Sequence, residues 1–381
     1  MALFLKFLRF GALAFGGPIA QIAMVREALV EQEGWIDRAR FNRLLAVLQV
    51  LPGPEAHEMC VHLGMVARGR LGGLLAGLGF MLPGFVLMLL AAWAYTTFLV
   101  GRLALDHALL GVQIAVLAVI ARAMVRIGEH VLDDRALWGI AAACLVATLA
   151  GVPFAILLMA GGAAYALAAR PGWVVGLIAA AVLCTIALAW MPTRPMATAG
   201  SAGAVTAVVL FVAGLKGGLL TFGGAYTAIP YVRADTVGRG WLSDATFLDG
   251  VALAGVLPAP LVIFATFVGY VAGGFTGAVA ITIGMFLPAF AFSLIFFERL
   301  EAIVERPALH RLLAGVAAAV VGIIAATWVQ LGSATGGRVS LVPVAVALFV
   351  AAAVVVWRVK GAWVTPMVLA GAGVIGWLVG V

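Results

Sequence analysis

Apolar runs of about twenty residues, separated by short charged stretches, recur along the whole of this 381-residue chain. About twenty such residues is what one helix needs to cross a bilayer core roughly 30 Å thick. The pattern predicts elements at 1–30, 42–67, 71–100, 105–127, 136–168 and 172–191, then at 203–230, 245–272, 276–297, 308–331, 339–357 and 362–381. The runs are continuously apolar, without the period-two alternation of a membrane strand, so the expected fold is an all-α polytopic membrane protein. Charged connections punctuate it: "VREALVEQEGWIDRARF", with Trp35 at headgroup depth, then "RIGEHVLDDR" and "ERLEAIVERPALHR".

Several apolar elements are interrupted by residues that weaken helices. Gly16-Gly17 and Gly223-Gly224 put adjacent glycines inside otherwise apolar segments, and "LPGP" at 51–54 and "LPAP" at 257–260 place two prolines one residue apart. Paired glycines permit backbone angles that other residues avoid, and each proline removes an N–H and disturbs the turn before it. These positions repeat. "RFGALAFGG" at 9–17 matches "KGGLLTFGG" at 216–224 with a spacing of 207, and Arg26 falls on Arg233. One residue is then lost, so Trp35 falls on Trp241, Phe41 on Phe247 and "LPGP" on "LPAP"; one more is lost before "GFMLPGF" at 79–85 meets "GMFLPAF" at 284–290. The expected organisation is a first repeat at 1–190, a Pro/Thr/Ser/Gly-rich linker at 191–203 and a second repeat at 204–381. Each repeat is expected to contain broken or re-entrant helices.

Non-helical backbone at membrane depth is tolerated where it is buried in protein or lines a cavity, and interrupted segments at equivalent places in two halves point to a transporter's binding site. A half-helix beginning at midplane presents free N–H groups and a positive dipole end, which attract an anion. Arg9 and Lys216 precede their glycine pairs by about two turns. They are read as charge-compensating binding residues, with snorkelling to the interface as the alternative. The candidate substrate-binding set is therefore Arg9, Gly16, Gly17, Pro52, Gly53, Pro54, Lys216, Gly223, Gly224, Pro258 and Pro260. Gln49, Glu55, His57 and Glu58, with His62 beyond them, bracket the first proline pair, whereas the second is followed by an apolar stretch. They are candidates for carrying a coupling proton, or for structural bonds in a watery vestibule. Isolated glycines such as Gly72, Gly73 and Gly77 are read as close helix packing.

Composition agrees with this reading and excludes others. Hydrophobic residues make up 65% and charged residues 10% of the chain, far from a soluble domain. The net charge of +7 is accounted for by basic loops facing anionic headgroups, and no polybasic tail or aromatic-interleaved patch indicates nucleic acid. Cys60, Cys144 and Cys184 are isolated, and His57 and His62 form no HExxH, so neither a metal nor any other cofactor is expected. No P-loop and no G-x-S-x-G is present, which leaves a carrier driven by gradients or a partner ATPase, with a channel and a non-transporting membrane scaffold as the other open readings, and not an enzyme. No small-x-small cleavage pattern marks a removable signal peptide.

Taken together, "FGGP" early, "LPGP" after a charged Trp-containing segment, "LPGF" in the next span, then "FGG", "LPAP" and "LPAF", resemble the chromate ion transporter family in its long two-domain form. The resemblance covers 5–100 and 210–300 and, more loosely, the rest. It implies a multi-pass carrier of the bacterial plasma membrane that exports chromate, with sulfate as the related dianion, antiport coupled to protons, and the two repeats inserted in opposite orientations. Membrane lipids, and a second copy in a homodimer, are the expected partners. It carries Gly16, Gly17, Pro52, Gly53, Pro54, Gly223, Gly224, Pro258 and Pro260 forward as motif positions, while Ala259 departs from the glycine of the first copy.

Overall fold

The computed structural model describes residues 2–48, 53–99, 103–167, 205–221, 224–296, 307–359, 361 and 363–380. The predicted element at 172–191 and the linker lie outside them, as do Gln49, Pro52 and Gly223. Every described element is helical: α1 (Ala2–Ala12), α2 (Gly17–Arg26), α3 (Arg38–Leu48), α4 (Glu55–Ala94), α5 (Leu103–Val131), α6 (Arg135–Leu149) and α7 (Phe154–Ala166). The second half contributes α8 (Ala207–Leu219), α9 (Ala228–Thr236), α10 (Asp244–Val256), α11 (Phe264–Ala291), α12 (Pro307–Gly336), α13 (Val342–Arg358) and α14 (Val364–Val379). Among the described residues four stretches are long and apolar enough to span a bilayer, Glu55–Leu99, Leu105–Val131, Leu261–Ile295 and Arg311–Gly336, so the chain is a multi-pass membrane protein.

Two compact units emerge, 1–122 with 205–297 and 330–381, and 123–204 with 298–329. The first draws on both halves of the sequence. Its α1 ends before Gly16, which adopts φ 86°, and α2 starts at Gly17 with Pro18 in its first turn. The chain then returns along α1, so that Lys6 Nζ meets Glu33 Oε2 at 2.5 Å and Trp35 packs on Phe7. In the second half α8 and α9 make the same return, closed by Lys216 and Asp235 at 2.8 Å. Beyond α2, Arg38 and Arg26 grip Glu31, and the Arg38 hydrogen bond holds that carboxyl below its ordinary value.

Helix α4 is not a straight rod. Arg68 (φ −147°, ψ 33°) and Gly69 (φ 60°, ψ −160°) reverse its direction, and in α11 Gly273 (φ −141°, ψ 20°) and Gly274 (φ 64°, ψ −157°) do the same. The limbs on either side fold against each other so closely that a Cβ on Gly72 would strike Gly64 O, and one on Gly277 would strike Gly269 O. The first limb of α4, residues 55–67, is about 20 Å long at 1.5 Å per residue, too short to cross a bilayer. It is re-entrant. The long second limbs of the two repeats run antiparallel, because Gly73 faces Leu294 while Gly77 faces Phe290. The repeats are therefore inverted with respect to each other.

In the second unit α6 and α7 separate at Gly151 (φ 85°) and Pro153, although the apolar run predicts one element over 136–168. The left-handed glycine and the proline end α6 and restart the chain as a second short helix. Leu132, Leu137, Ala141, Ala318 and Val321 form its core. Asp134 caps α6 by accepting from Leu137 N at 2.8 Å, and Tyr165 donates its hydroxyl to the same carboxylate at 2.7 Å.

Candidate functional site

The interruptions of the two repeats meet crosswise inside the first unit. Gly53 N donates to Thr221 O at 2.8 Å, tying the first proline break to the second glycine break. The first glycine break is tied to the second proline break through Gln21, whose Nε2 donates to Ala14 O at 2.8 Å and to Ala259 O at 2.9 Å. Ala14 corresponds to Thr221 at the repeat spacing of 207, and Gly53 to Ala259 at 206. The two junctions are thus symmetry-related, one made by backbone alone and the other bridged by an amide side chain. Packing closes them further: Gly84 lies so close to Ala259 that a Cβ would collide with it.

Four helical segments begin at these junctions. They are α2 after Gly16, α4 after Pro54, a 3-10 turn at Ala225–Thr227 after Gly224 (φ 129°), and a 3-10 turn at Leu261–Ile263 after Pro260. Each first turn has N–H groups without an intrahelical acceptor, and their dipoles give the region a positive potential without a charged side chain. Pro258 and Pro260 are buried here with Gly53 and Pro54.

The acidic and imidazole side chains of the first proline break all stand on the first limb of α4. Glu55, His57, Glu58 and His62 are buried, His57 and Glu58 completely. The Glu58 carboxyl folds back over Gly53, where an added Cβ would stand 2.5 Å from Oε1, and neither carboxyl oxygen has a hydrogen-bond partner among the described residues. The His57 ring lies edge-on between Phe286 and Phe290, at 4.9 and 4.8 Å between centroids. Oε1 of Gln21 is also buried and has no partner among the described residues.

The two basic candidates lie elsewhere. Arg9 is exposed on the last turn of α1. Lys216 pairs with Asp235 at 2.8 Å, and its side chain is 33% exposed. Among the described residues no cationic side chain is buried at the junctions, and no three His, Cys, Asp or Glu gather as a metal-ligand set.

Two features escape a reading of the sequence. Gln21 is one, a lone amide in "GPIAQIAMV" whose position was its only signal. The other is Asp249 in α10, buried and accepting from Tyr95 Oη at 2.8 Å and from Gln113 Nε2 at 2.7 Å. Arg338 completes that chain by donating to Gln113 Oε1 at 2.9 Å. The signal was a single acid in the apolar run "FLDGVALAG".

Comparison with known proteins bears on what this arrangement does. The family described as "Chromate transporter" matches residues 1–167 and 208–377, one match for each repeat. The chain is 56% identical over 381 residues to a chromate transport protein of Pseudomonas aeruginosa, covering 99% of this chain and 92% of that protein. It is 31% identical over 383 residues to a chromate transport protein of Cupriavidus metallidurans, covering 98% and 92%. An uncharacterized transporter of Methanocaldococcus jannaschii is 29% identical over 312 residues, covering 76% and 73%. No solved structure is significantly similar.

Proposed function

Given that the chain belongs to the chromate transporter family, we propose that it is a secondary carrier of a small tetrahedral oxyanion, chromate foremost and sulfate as its competitor, exported across the bacterial plasma membrane with proton coupling. The observation that carries this reading is the crosswise joining of the four breaks by Gly53 to Thr221 and by Gln21 to Ala14 and Ala259. Inverted repeats with discontinuous helices meeting between them are the architecture in which a substrate is held at midplane and exposed alternately to either face.

In this reading the oxyanion sits between the four helix starts. Backbone N–H groups of Gly16, Gly17, Gly223 and Gly224 are its donors, joined by that of Gly53 when its bond to Thr221 O opens, and Pro52, Pro54, Pro258 and Pro260 keep those turns open. Arg9 and Lys216, one to two turns away, guide the anion along the approach on their own sides; Lys216 does so while paired with Asp235. Glu55, His57, Glu58 and Gln49 are the coupling group. Rocking of one repeat against the other breaks one junction and then the other, which is why each is held by only one or two hydrogen bonds.

Purified protein in liposomes provides the test. Saturable chromate uptake that sulfate inhibits, with counterflow from chromate-loaded vesicles, is expected. Uptake that neither saturates nor shows counterflow would identify a channel and refute the carrier. Absence of chromate, sulfate and molybdate flux altogether would refute transport.

A further inference from the structure

Resting on the oxyanion reading above, we infer that Glu58 is itself a substrate-binding residue in its acid form, so that one proton and one oxyanion cross together and in the same direction. This replaces the antiport expected from the sequence.

The argument begins with charge. A tetrahedral dianion between the four breaks finds helix N-termini, each equivalent to roughly half a positive charge. Among the described residues it finds no buried cation at the breaks: Arg9 is exposed, Lys216 is engaged by Asp235, and Arg122, half-buried, acts on Tyr226 just beyond Gly224. What it does find is a carboxyl group. Glu58 is completely buried at the start of α4, turned back onto Gly53 of the break, and both its oxygens are without partners among the described residues. Buried polar atoms in native proteins are almost always satisfied, and an unsatisfied pair at the mouth of a half-helix indicates a missing ligand. Ionised, this group would repel the dianion at hydrogen-bond distance in a medium of low dielectric constant. Carrying a proton, it becomes an O–H donor to an oxyanion oxygen, a role that no buried lysine or arginine among the described residues fills.

The surroundings leave Glu58 as the group for this role. On its own helix it faces Glu55, with His57 and His62 on the same limb. From α11 the facing groups are the rings of Phe286 and Phe290, which enclose His57. From α8 the neighbour of the break is Thr221 through its backbone, from α2 it is Gln21, and Arg40 of α3 acts on His62. Gly53 is itself informative, since a side chain there would displace the carboxyl from the break, whereas the second repeat has Ala259 at this place and no acid in the helix that follows.

The proton balance is simple. Glu58 takes one proton from the aqueous phase on the entry side, shares it with the bound oxyanion as a hydrogen bond, and returns it on the exit side with the anion. The transported pair, one dianion and one proton, carries one net negative charge, so an inside-negative potential still drives it outward.

The experiment uses the full chain in liposomes loaded with a pH-sensitive dye, with chromate as the probe. In the wild type, chromate entering the vesicle is expected to acidify the lumen, and an alkaline lumen to drive chromate inward. Glu58→Gln keeps an N–H donor but cannot take up the proton. Its chromate exchange should be weaker, flat across the neutral pH range, and without lumenal acidification. Glu58→Asp retains the acid and should retain acidification, which separates loss of the proton from loss of fold. Acidification that persists in Glu58→Gln, or a proton flux opposed to chromate in the wild type, overturns this inference while leaving the carrier intact. A wild type that exchanges no chromate overturns the oxyanion reading, and this inference with it.

Discussion

Replacing Gly274 by alanine tests whether the long apolar stretches of this chain are hairpins or continuous spans. Gly274 has φ 64° and ψ −157°, and Gly69 has φ 60° and ψ −160°, a region open almost only to glycine. Neither would meet any atom within 4 Å of an added Cβ, so the substitution introduces backbone strain and no steric clash. The expected cost is about 1–3 kcal/mol at each site. For a membrane protein of this size that corresponds to a fall of several degrees in Tm, at roughly 2–4 °C per kcal/mol for somewhat shorter chains. Because the tips share no partner, the double variant should lose close to the sum. Gly139 and Gly371 are the controls. They lie inside α6 and α14, a Cβ there meets nothing within 4 Å, and alanine should be neutral or stabilise by about 0.5–1 kcal/mol. The assay is thermal unfolding of purified protein in detergent, followed by intrinsic fluorescence and size-exclusion recovery. If Gly69→Ala and Gly274→Ala raise Tm as the controls do, the chain passes those points as an ordinary helix and the re-entrant architecture is wrong.

Gln21→Leu removes both donors of one junction and leaves Ala14 O and Ala259 O buried without them; a loss of about 1–3 kcal/mol in thermal stability is expected, with chromate flux falling alongside. Lys216→Met should weaken folding only slightly, and the double variant with Asp235→Asn should recover most of it, with a coupling below about 1 kcal/mol because the lysine is 33% exposed. The Leu137 N–H and the Tyr165 hydroxyl hold the Asp134 carboxyl below its ordinary value of 3.8. Its stabilisation is complete above that value and disappears as pH falls through the depressed one. Asp134→Asn should therefore flatten the acid limb of a stability-versus-pH profile, and an unchanged limb would remove Asp134 from the account.

The repeat and its four breaks were legible because each depends on residue types with few substitutes. Glycine pairs and closely spaced prolines stand out in an apolar chain, and the register slipping from 207 to 205 places Gly69 on Gly274, where the structure puts the same reversal. Boundaries near 68 and 273 were also visible as gaps between apolar runs. What the letters did not show is that the segment before each gap turns back on itself, since that depends on limbs meeting at Gly64 with Gly72 and at Gly269 with Gly277. The length of the run at 136–168 concealed its break because one left-handed glycine and one proline, separated by a valine, look like loose packing. Gln21 and Asp249 were invisible as a class: their partners lie 238 and 154 positions away, and no local pattern records a contact of that kind.

The backbone is two-fold symmetric where the chemistry is not, and the difference has a physical use. Both repeats supply the same break, return and reversal, so that either face can be closed by the same kind of junction. Only the first repeat follows its proline break with Glu55, His57, Glu58 and His62; the corresponding stretch of the second, Leu261 to Phe264, is apolar. The second repeat places its buried acids elsewhere, at Asp235 in α9, paired with Lys216, and at Asp249 in α10, held by Tyr95 and Gln113. Hydrogen bonds between helices in a membrane contribute on average about 0.6 kcal/mol each, so this network restrains α10, and the junctions hold the breaks, by only a few kcal/mol. That is the range a bound ligand can offset by preferring one conformation over the other. In the proposed carrier mechanism a symmetric frame would supply two conformations of similar free energy, and the one-sided placement of acids would let protonation bias the choice between them. Two equally acidic breaks would respond to protons alike and could not supply that bias.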